Sequence, residues 1–438
     1  MRDIIYSMKD ITIKEAKYRP RITDGLLDFK LHSKGAVVIQ GPKWVGKTTS
    51  AKRFAKSFVD FGDVSDQEQN ILLARMDTKS VLQGETPRLF DEWQEAPFLW
   101  DAIRYEVDKR NRVGQFILTG STVKIPKNSQ GDIRKHTGIG RFTYLLMRPM
   151  SLFESGESNG KISLKSLFDT PSEIFAEATL SLADVAFLTC RGGWPFATFL
   201  EGDYALVQAK DYYDSIVNDD ISRVDGKRRN LKVVKKLLRS YARVQAQGAS
   251  TELIANDIGE IDTRTVADYI DALRRLYVIE DASAWNPNLR SKTAIRTSDT
   301  RYFVDPSIAA AALNLKPDAL VGDLKYFGFL FETLAFRDLR VYTMPLEGEV
   351  SHYRDKNGLE CDAVISLPDG RYGLVEIKLG QTPEAIDEAV SKMTTLRNKI
   401  DPEKMSLPSF MMVLTGNGAY AYRREDGIYV VPIGCLRP

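Results

Sequence analysis

Short apolar runs rich in β-branched and aromatic residues recur through the first 150 positions of the chain. Ala36-Val37-Val38-Ile39, the stretch opening at Leu89-Phe90, Gln115-Phe116-Ile117-Leu118 and the run from Phe142 to Met147 each read as a buried strand. Between the strands the apolar spacing turns helical. Thr49 to Val59 is predicted as one helix, with Ala51, Phe54, Ala55 and Phe58 on a common face. Such strands with helices between them predict an α/β sheet, largely parallel and covered on both faces.

The pattern changes further on. Leu231, Val234, Leu237 and Leu238 keep helical spacing while Lys227, Arg228, Arg229, Lys232, Lys235, Lys236, Arg239 and Arg243 crowd around them. That predicts an amphipathic helix whose basic face is either simply solvated or set against nucleic-acid phosphates. Ser250 to Gly259 reads as a short helix. Asp262-Thr263-Arg264-Thr265 caps a second one, which runs through Val266, Tyr269, Ile270, Leu273 and Leu276. Tyr277-Val278-Ile279 and Arg301 to Asp305 would be paired strands around a loop carrying Arg290, Lys292 and Arg296. Helix, turn, helix and β-wing is a winged-helix pattern, with Arg264, Arg274 and Arg275 projecting from its second helix. In the last third, Gly358 to Ile365, the turn Pro368-Asp369-Gly370 and Tyr372 to Lys378 form a predicted β-hairpin.

Composition narrows this only a little. At 438 residues, about three domains are expected. The chain is 43% hydrophobic and 27% charged, and its net charge of +2 gives no global field to steer a polyanion. Cys190, Cys361 and Cys435 are far apart, which excludes a disulfide framework and a Cys-x-x-Cys zinc site. His32, His136 and His352 are equally scattered. With no run of 18 apolar residues and no signal-like N-terminus, the expectation is a cytoplasmic protein without a membrane partner.

One motif carries specific chemistry. Gly41-Pro42-Lys43-Trp44-Val45-Gly46-Lys47-Thr48 fits Gly-x-x-x-x-Gly-Lys-Thr, and it lies between a predicted strand and a helix opening at Thr49. Glycines let backbone N–H groups approach phosphates, and the helix N-terminus adds a favourable dipole. Lys47 would reach the β- and γ-phosphates, and Thr48 would offer its hydroxyl to Mg²⁺. Downstream, Leu89-Phe90-Asp91-Glu92 ends a strand in two acids. Asp91 would hold the metal and Glu92 would polarise the attacking water. The next strand ends in Thr119-Gly120-Ser121, and either hydroxyl is a candidate γ-phosphate sensor unless the segment is plain turn chemistry. Arg141 either stabilises transition-state charge in a neighbouring subunit of a homo-oligomer or is a solvated loop arginine.

Taken together, Tyr18-Arg19-Pro20-Arg21, the phosphate loop, Pro87 to Gln94, Phe116 to Ser121 and Arg148-Pro149-Met150-Ser151-Leu152-Phe153-Glu154 resemble one prokaryotic family. Its members are AAA-type ATPases fused to a C-terminal domain of unknown function, and the resemblance covers nearly the whole chain. It implies ATP, Mg²⁺ and a five-stranded AAA core. In related signalling ATPases a Gly-x-Pro element of a helical lid covers the adenine. Gly193-Trp194-Pro195 resembles that element, unless it is only a helix cap and stop, and this makes Pro195 a candidate ATP contact. A winged helix follows the lid in such proteins as an internal switch, so DNA binding and switching both stand.

The C-terminal hairpin holds the remaining candidates. Glu376 and Lys378 share a strand face, and Asp362 lies on the neighbouring strand. Glu332 interrupts the apolar run Phe327 to Leu334, and a buried acid needs a partner or a metal. Glu332, Asp362 and Glu376-x-Lys378 resemble the PD-(D/E)xK nuclease superfamily. The resemblance implies a second Mg²⁺ or Mn²⁺ on the three acids and a catalytic Lys378. The expected organisation is therefore an ATPase core over 1–155, a helical lid over 156–225, a winged helix over 226–315 and a nuclease-like domain over 316–438. The function expected is an Mg²⁺-dependent ATPase gating a nuclease that acts on DNA or RNA. Its rival is a nucleotide-controlled signalling or scaffold protein with an inactive, partner-binding C-terminal domain.

Overall fold

The computed structural model of the chain describes residues 18–121, 140–170, 172–259, 261–285 and 299–438. Its first sheet is built from β1 (Ala36–Gln40), β2 (Ser57–Asp60), β3 (Arg88–Asp91), β4 (Phe116–Gly120) and β5 (Phe142–Leu146), in the order β2-β3-β4-β1-β5. Every pairing is parallel. Alternate residues of the strands feed two separate cores. Ala36, Val38, Phe90, Phe116 and Leu118 pack with Trp100 and Ile103 on one face. Val37, Ile39, Leu89, Ile117 and Leu145 join a larger core on the other. A sheet buried on both faces has strands without polar alternation, which is why these runs read as continuously apolar.

The helix expected over Thr49 to Val59 is shorter and displaced. It spans Lys47–Phe54, and Ser57–Asp60 instead forms the edge strand β2, paired residue by residue with β3. Phe58, assigned to a buried helical face, is more than half exposed. An aromatic followed by a β-branched residue suits an edge strand, and β3 offers open backbone groups there.

The stretch expected to be a helical lid begins with two strands. β6 (Ile162–Ser163) and β7 (Phe175–Glu177) pair far along the chain, with β14 (Leu436–Arg437) and β12 (Tyr420–Arg423) respectively. Helices Leu182–Arg191 and Gly202–Ser215 follow, then Leu231–Arg243, Thr251–Ile258 and Thr263–Arg275. Asp262 and Ser250 cap the last two, as their sequence implies. The strands predicted beside them are reduced to isolated antiparallel bridges, Ile279 to Phe303 and Ala282 to Thr300. The loop carrying Arg290, Lys292 and Arg296 lies outside the described residues, as does His136.

The second sheet completes the fold with β8 (Glu349–Arg354), β9 (Glu360–Ser366), β10 (Tyr372–Lys378), β11 (Phe410–Thr415) and β13 (Tyr429–Pro432). Its order is β7-β12-β13-β11-β10-β9-β8. β9 and β10 are the predicted hairpin. The helix Pro383–Asn398 carries the chain from β10 to its parallel neighbour β11. The helix Leu324–Thr343 is buried along most of its second half and touches β8 and β10 on one side and Leu182–Arg191 on the other.

Candidate nucleotide site

The loop after β1 is shaped by its glycines. A Cβ on Gly41, at φ +147°, would lie 2.1 Å from the Met147 carbonyl oxygen. Gly46, at φ +94°, caps the helix Lys47–Phe54 from the left-handed region. That aims the first-turn N–H groups at the loop. Arg21 fixes the loop from behind. Its Nη1 donates to the Val45 carbonyl at 2.7 Å and its Nη2 to the Arg148 carbonyl at 2.8 Å. Its Nε pairs with Glu154 at 3.0 Å, with both side chains buried. Glu154 in turn accepts from the Ser151 and Ile22 amides at 2.8 Å. A buried ion pair with its remaining lone pairs satisfied holds geometry well even where it adds little stability.

Lys47 donates to the Gly41 and Pro42 carbonyls at 3.0 and 2.7 Å. Burial pulls its ammonium down to about 8, against the opposing fields of Glu92 and Asp91. Thr48 Oγ1 donates to Asp91 Oδ1 at 2.9 Å, and Thr119 donates to the same oxygen. Of the two hydroxyls expected at the end of β4, the fold brings Thr119 to Asp91. Ser121 is buried and does not line the cavity. Glu92 follows Asp91 in a left-handed conformation, at φ 48°, and accepts from Gln94. Burial raises its carboxyl pKa, against the Gln94 bond and the Lys47 charge. A strained non-glycine residue beside a cavity is a common mark of function.

These residues face a cavity of about 750 Å³, lined at one end by Lys43, Lys47, Thr48, Thr49 and Glu92. Pro195 and Trp194 stand across it, with the Pro195 ring 3.6 Å from the position of a Cβ on Gly46. Trp44 also lines it, while Gly41, Pro42 and Val45 shape the loop from outside the cavity wall. The turn at Gly193 is demanded by contact, because a Cβ there would come within 2.2 Å of the Met150 carbonyl oxygen. Asp305 accepts from the Gly193 amide at 2.9 Å and pairs with buried Arg337 of the helix Leu324–Thr343. Arg337 also pairs with Asp338 at 2.7 Å. Asp305, Arg337 and Asp338 were missed from the sequence. For Arg337 and Asp338 the signal was charge inside an apolar helix, and for Asp305 an acid directly before Pro306, which reads only as a helix cap. Tyr18, Arg19, Phe196 and Phe199 also line the cavity, with Arg19 lying over the Phe199 ring at 5.2 Å.

Arg141 lies elsewhere. It precedes β5, and its backbone pairs with Ala36 at the start of β1, whereas the phosphate loop follows the end of β1. Its guanidinium pairs with Asp108 at 2.7 Å. Arg141 is therefore remote from the loop of its own chain.

The expected metal cluster of the C-terminal domain takes a different form. Glu332, Asp362, Glu376 and Lys378 do come into one electrostatic neighbourhood. Glu376 is fully buried, and neither carboxylate oxygen has a hydrogen-bond partner. Lys378 Nζ lies 3.2 Å from Glu376 Oε2 without hydrogen-bond alignment. Burial and the Asp362 charge push Glu376 up to about 8. Burial, reinforced by Asp362, drives Glu332 well above the usual carboxylate range, and Tyr302 donates its hydroxyl to it at 2.5 Å. Asp362 is raised by burial and accepts from the Ile377 amide at 2.7 Å. Among the described residues no group of three or more His, Cys, Asp or Glu side chains is arranged to hold a metal ion. Of the acids expected as ligands, Glu376 is sealed from solvent while Glu332 and Asp362 are half-buried, and the surroundings favour the protonated form of all three.

The basic helix is partly neutralised. Lys227, Arg229 and Arg243 pair with Asp268, Asp225 and Asp257, and Arg274 with Asp281. No described helix is long and apolar enough to cross a membrane.

Family models support an ATPase domain and lend nothing to the nuclease reading. Residues 33–155 match the family model of the AAA domain. Residues 182–319 and 327–436 match two domains of unknown function, DUF8612 and DUF4143. The chain thus carries an AAA-type P-loop ATPase domain, and its C-terminal domain is DUF4143, without support for nuclease kinship. The uncharacterized proteins Mb2031c of Mycobacterium bovis and Rv2008c of Mycobacterium tuberculosis are each 23% identical over 356 residues, spanning 81% of this chain and 72% of theirs. Among solved structures, the Walker-type ATPase PABY2304 of Pyrococcus abyssi superposes with a TM-score of 0.41 at 13% identity, over 68% of this chain and 99% of that one.

Proposed function

We propose that the chain is an Mg²⁺-dependent ATPase whose C-terminal domain is a partner-binding module under nucleotide control. One observation supports the ATPase reading above others: Lys47, Thr48 and Glu92 face one cavity, with Asp91 bonded to Thr48 behind them and Pro195 opposite. The donor set suits the metal, since the Thr48 hydroxyl and the Asp91 carboxylate adjoin at 2.9 Å. Mg²⁺ bound there supplies positive charge to the terminal phosphates. Lys47 leaves the loop carbonyls for the phosphate oxygens. Glu92, its pKa raised towards the working pH, accepts a proton from the attacking water. Thr119 keeps the Asp91 carboxylate oriented, and the aromatic wall of Tyr18, Trp194 and Phe199 takes the base. ATP turnover by the purified chain, with Lys47→Ala abolishing nucleotide binding and Glu92→Gln sparing it, tests the reading. Equal turnover by wild type and Glu92→Gln would remove Glu92 from its role.

The control reading is favoured by a contiguous set of charged contacts leading away from the loop. Arg21 bonds both Val45 and the Arg148 carbonyl, and the Arg148 guanidinium pairs in fork geometry with Glu280. Burial would raise Glu280, but Arg148 and Arg340 hold it at about 2. Arg340, on the helix Leu324–Thr343, also donates to the Glu280 and Asp281 carbonyls at 2.6 and 2.9 Å. Such a chain of contacts is a candidate for coupling. If Glu280→Gln leaves ATP-dependent protection of the C-terminal domain from proteolysis unchanged, the relay is only structural. Metal-dependent cleavage of DNA or RNA would restore the nuclease reading. A homo-oligomeric role for Arg141 predicts that Arg141→Ala mixed with Lys47→Ala regains turnover; a monomer with undiminished turnover in Arg141→Ala excludes it.

A further inference from the structure

Lys43 is the third residue of the phosphate loop, and its ammonium is engaged outside the loop. Its Nζ donates to Asp220 Oδ1 at 2.5 Å. Lys43 is about one-third exposed and lines the nucleotide cavity, while Asp220 is buried and also accepts from Ser215 Oγ at 3.1 Å. Asp220 closes a π-helical turn, Ile216–Asp220, that continues the helix Gly202–Ser215. Such turns are rare, widen the helix locally and recur at functional sites. The next turn is tied to the three-helix region: Arg229 donates to the Ile221 carbonyl at 2.6 Å and pairs with Asp225 and Asp268. The Lys43 charge also lowers the pKa of both Lys47 and Glu92, so it acts at the phosphate end of the cavity.

We propose that Lys43 is a second phosphate-binding cation, latched to Asp220, and that the terminal phosphate of a nucleoside triphosphate opens the latch by taking the ammonium. The proposal rests on the cavity being a nucleoside-triphosphate site. Asp220 offers Lys43 one negative charge, whereas a terminal phosphate offers about two beside a Mg²⁺ ion. A diphosphate lacks the group and leaves the latch shut. Asp220 is a positioning residue, because it reaches the ligand only through Lys43. The fold supplies its own reporter. Tyr212, two turns before Asp220, has its ring 5.6 Å from Trp44 of the loop and 4.2 Å from Trp194.

The test is titration of the full chain with Mg²⁺-ATP and Mg²⁺-ADP, read by calorimetry and tryptophan fluorescence. Asp220→Asn, which is isosteric, frees Lys43 and should tighten ATP on the order of tenfold while moving ADP by less than about twofold. Lys43→Met, at a partly exposed site, should weaken ATP on the order of tenfold with the same indifference to ADP. The double variant should behave as Lys43→Met alone, since Asp220 has nothing left to hold. The ATP-specific fluorescence change should vanish in both single variants. Equal shifts for ATP and ADP, or no shift in either variant while Lys47→Ala loses both nucleotides, would overturn the latch and leave the nucleotide site standing. Wild-type protein that binds neither nucleotide would overturn both.

Discussion

Two clusters in this molecule have nearly the same inventory and opposite characters. Asp91, Glu92 and Lys47 gather at the end of β3, while Asp362, Glu376 and Lys378 gather on β9 and β10. In the first, Asp91 accepts two hydroxyl hydrogen bonds, and Glu92 and Lys47 open onto a cavity of about 750 Å³. In the second, Glu376 is sealed from solvent with both oxygens unbonded, and its pKa climbs to about 8. The difference teaches that acids and a lysine on strands do not define a site. Access and hydrogen-bond partners decide whether such a cluster offers its oxygens to a ligand or, as at Glu376, holds a proton.

The comparison breaks most visibly at Glu92. Glu92→Gln should lower ATP turnover on the order of 10² to 10³-fold with ATP affinity kept, whereas Lys378→Ala should leave turnover within about twofold. Steady-state phosphate release with calorimetry distinguishes the two. Within the first cluster, Thr119→Val should cost roughly tenfold in turnover, because Asp91 loses a hydroxyl partner, and Ser121→Ala should cost less than about twofold. Similar losses at both positions would erase the distinction between them.

The pH dependence of the two clusters runs through different properties. Lys47 is protonated below about 8, so ATP affinity should hold steady there and fall by up to about tenfold per pH unit above it. Glu376 affects stability instead. Its folded pKa of about 8 exceeds its ordinary value of 4.5, so its contribution is complete below 4.5 and is lost as pH rises through 8. Glu332, Asp362 and Lys378 face it and shift the detail of the window, but the directions for the two acids are the same. Glu376→Gln should therefore be more thermostable than wild type above about pH 8, by a few degrees, with the gap closing towards pH 5. A gap that widens towards acid would show that Glu376 is ionised in the folded chain.

The sequence alone determined the β1–loop–helix unit and the roles available to Lys47, Thr48 and Asp91. Local spacing sets these: glycine supplies backbone that only it adopts readily, and a short apolar run ending in acids presents them at a strand tip. It also made Thr119 and Ser121 equal candidates, predicted a helix through Phe58 and placed the segment from 156 wholly in a lid. Tertiary structure decided each of those. Thr119 is chosen by the parallel pairing that sets β4 alongside β3, Phe58 by the open edge of β3, and β6 and β7 by partners more than 240 residues away, Ala421 and Leu436 among them. The fate of Glu376 was likewise invisible in one dimension. A carboxylate's charge state depends on the field and solvent it meets after folding, and no neighbour within a few residues along the chain reports them.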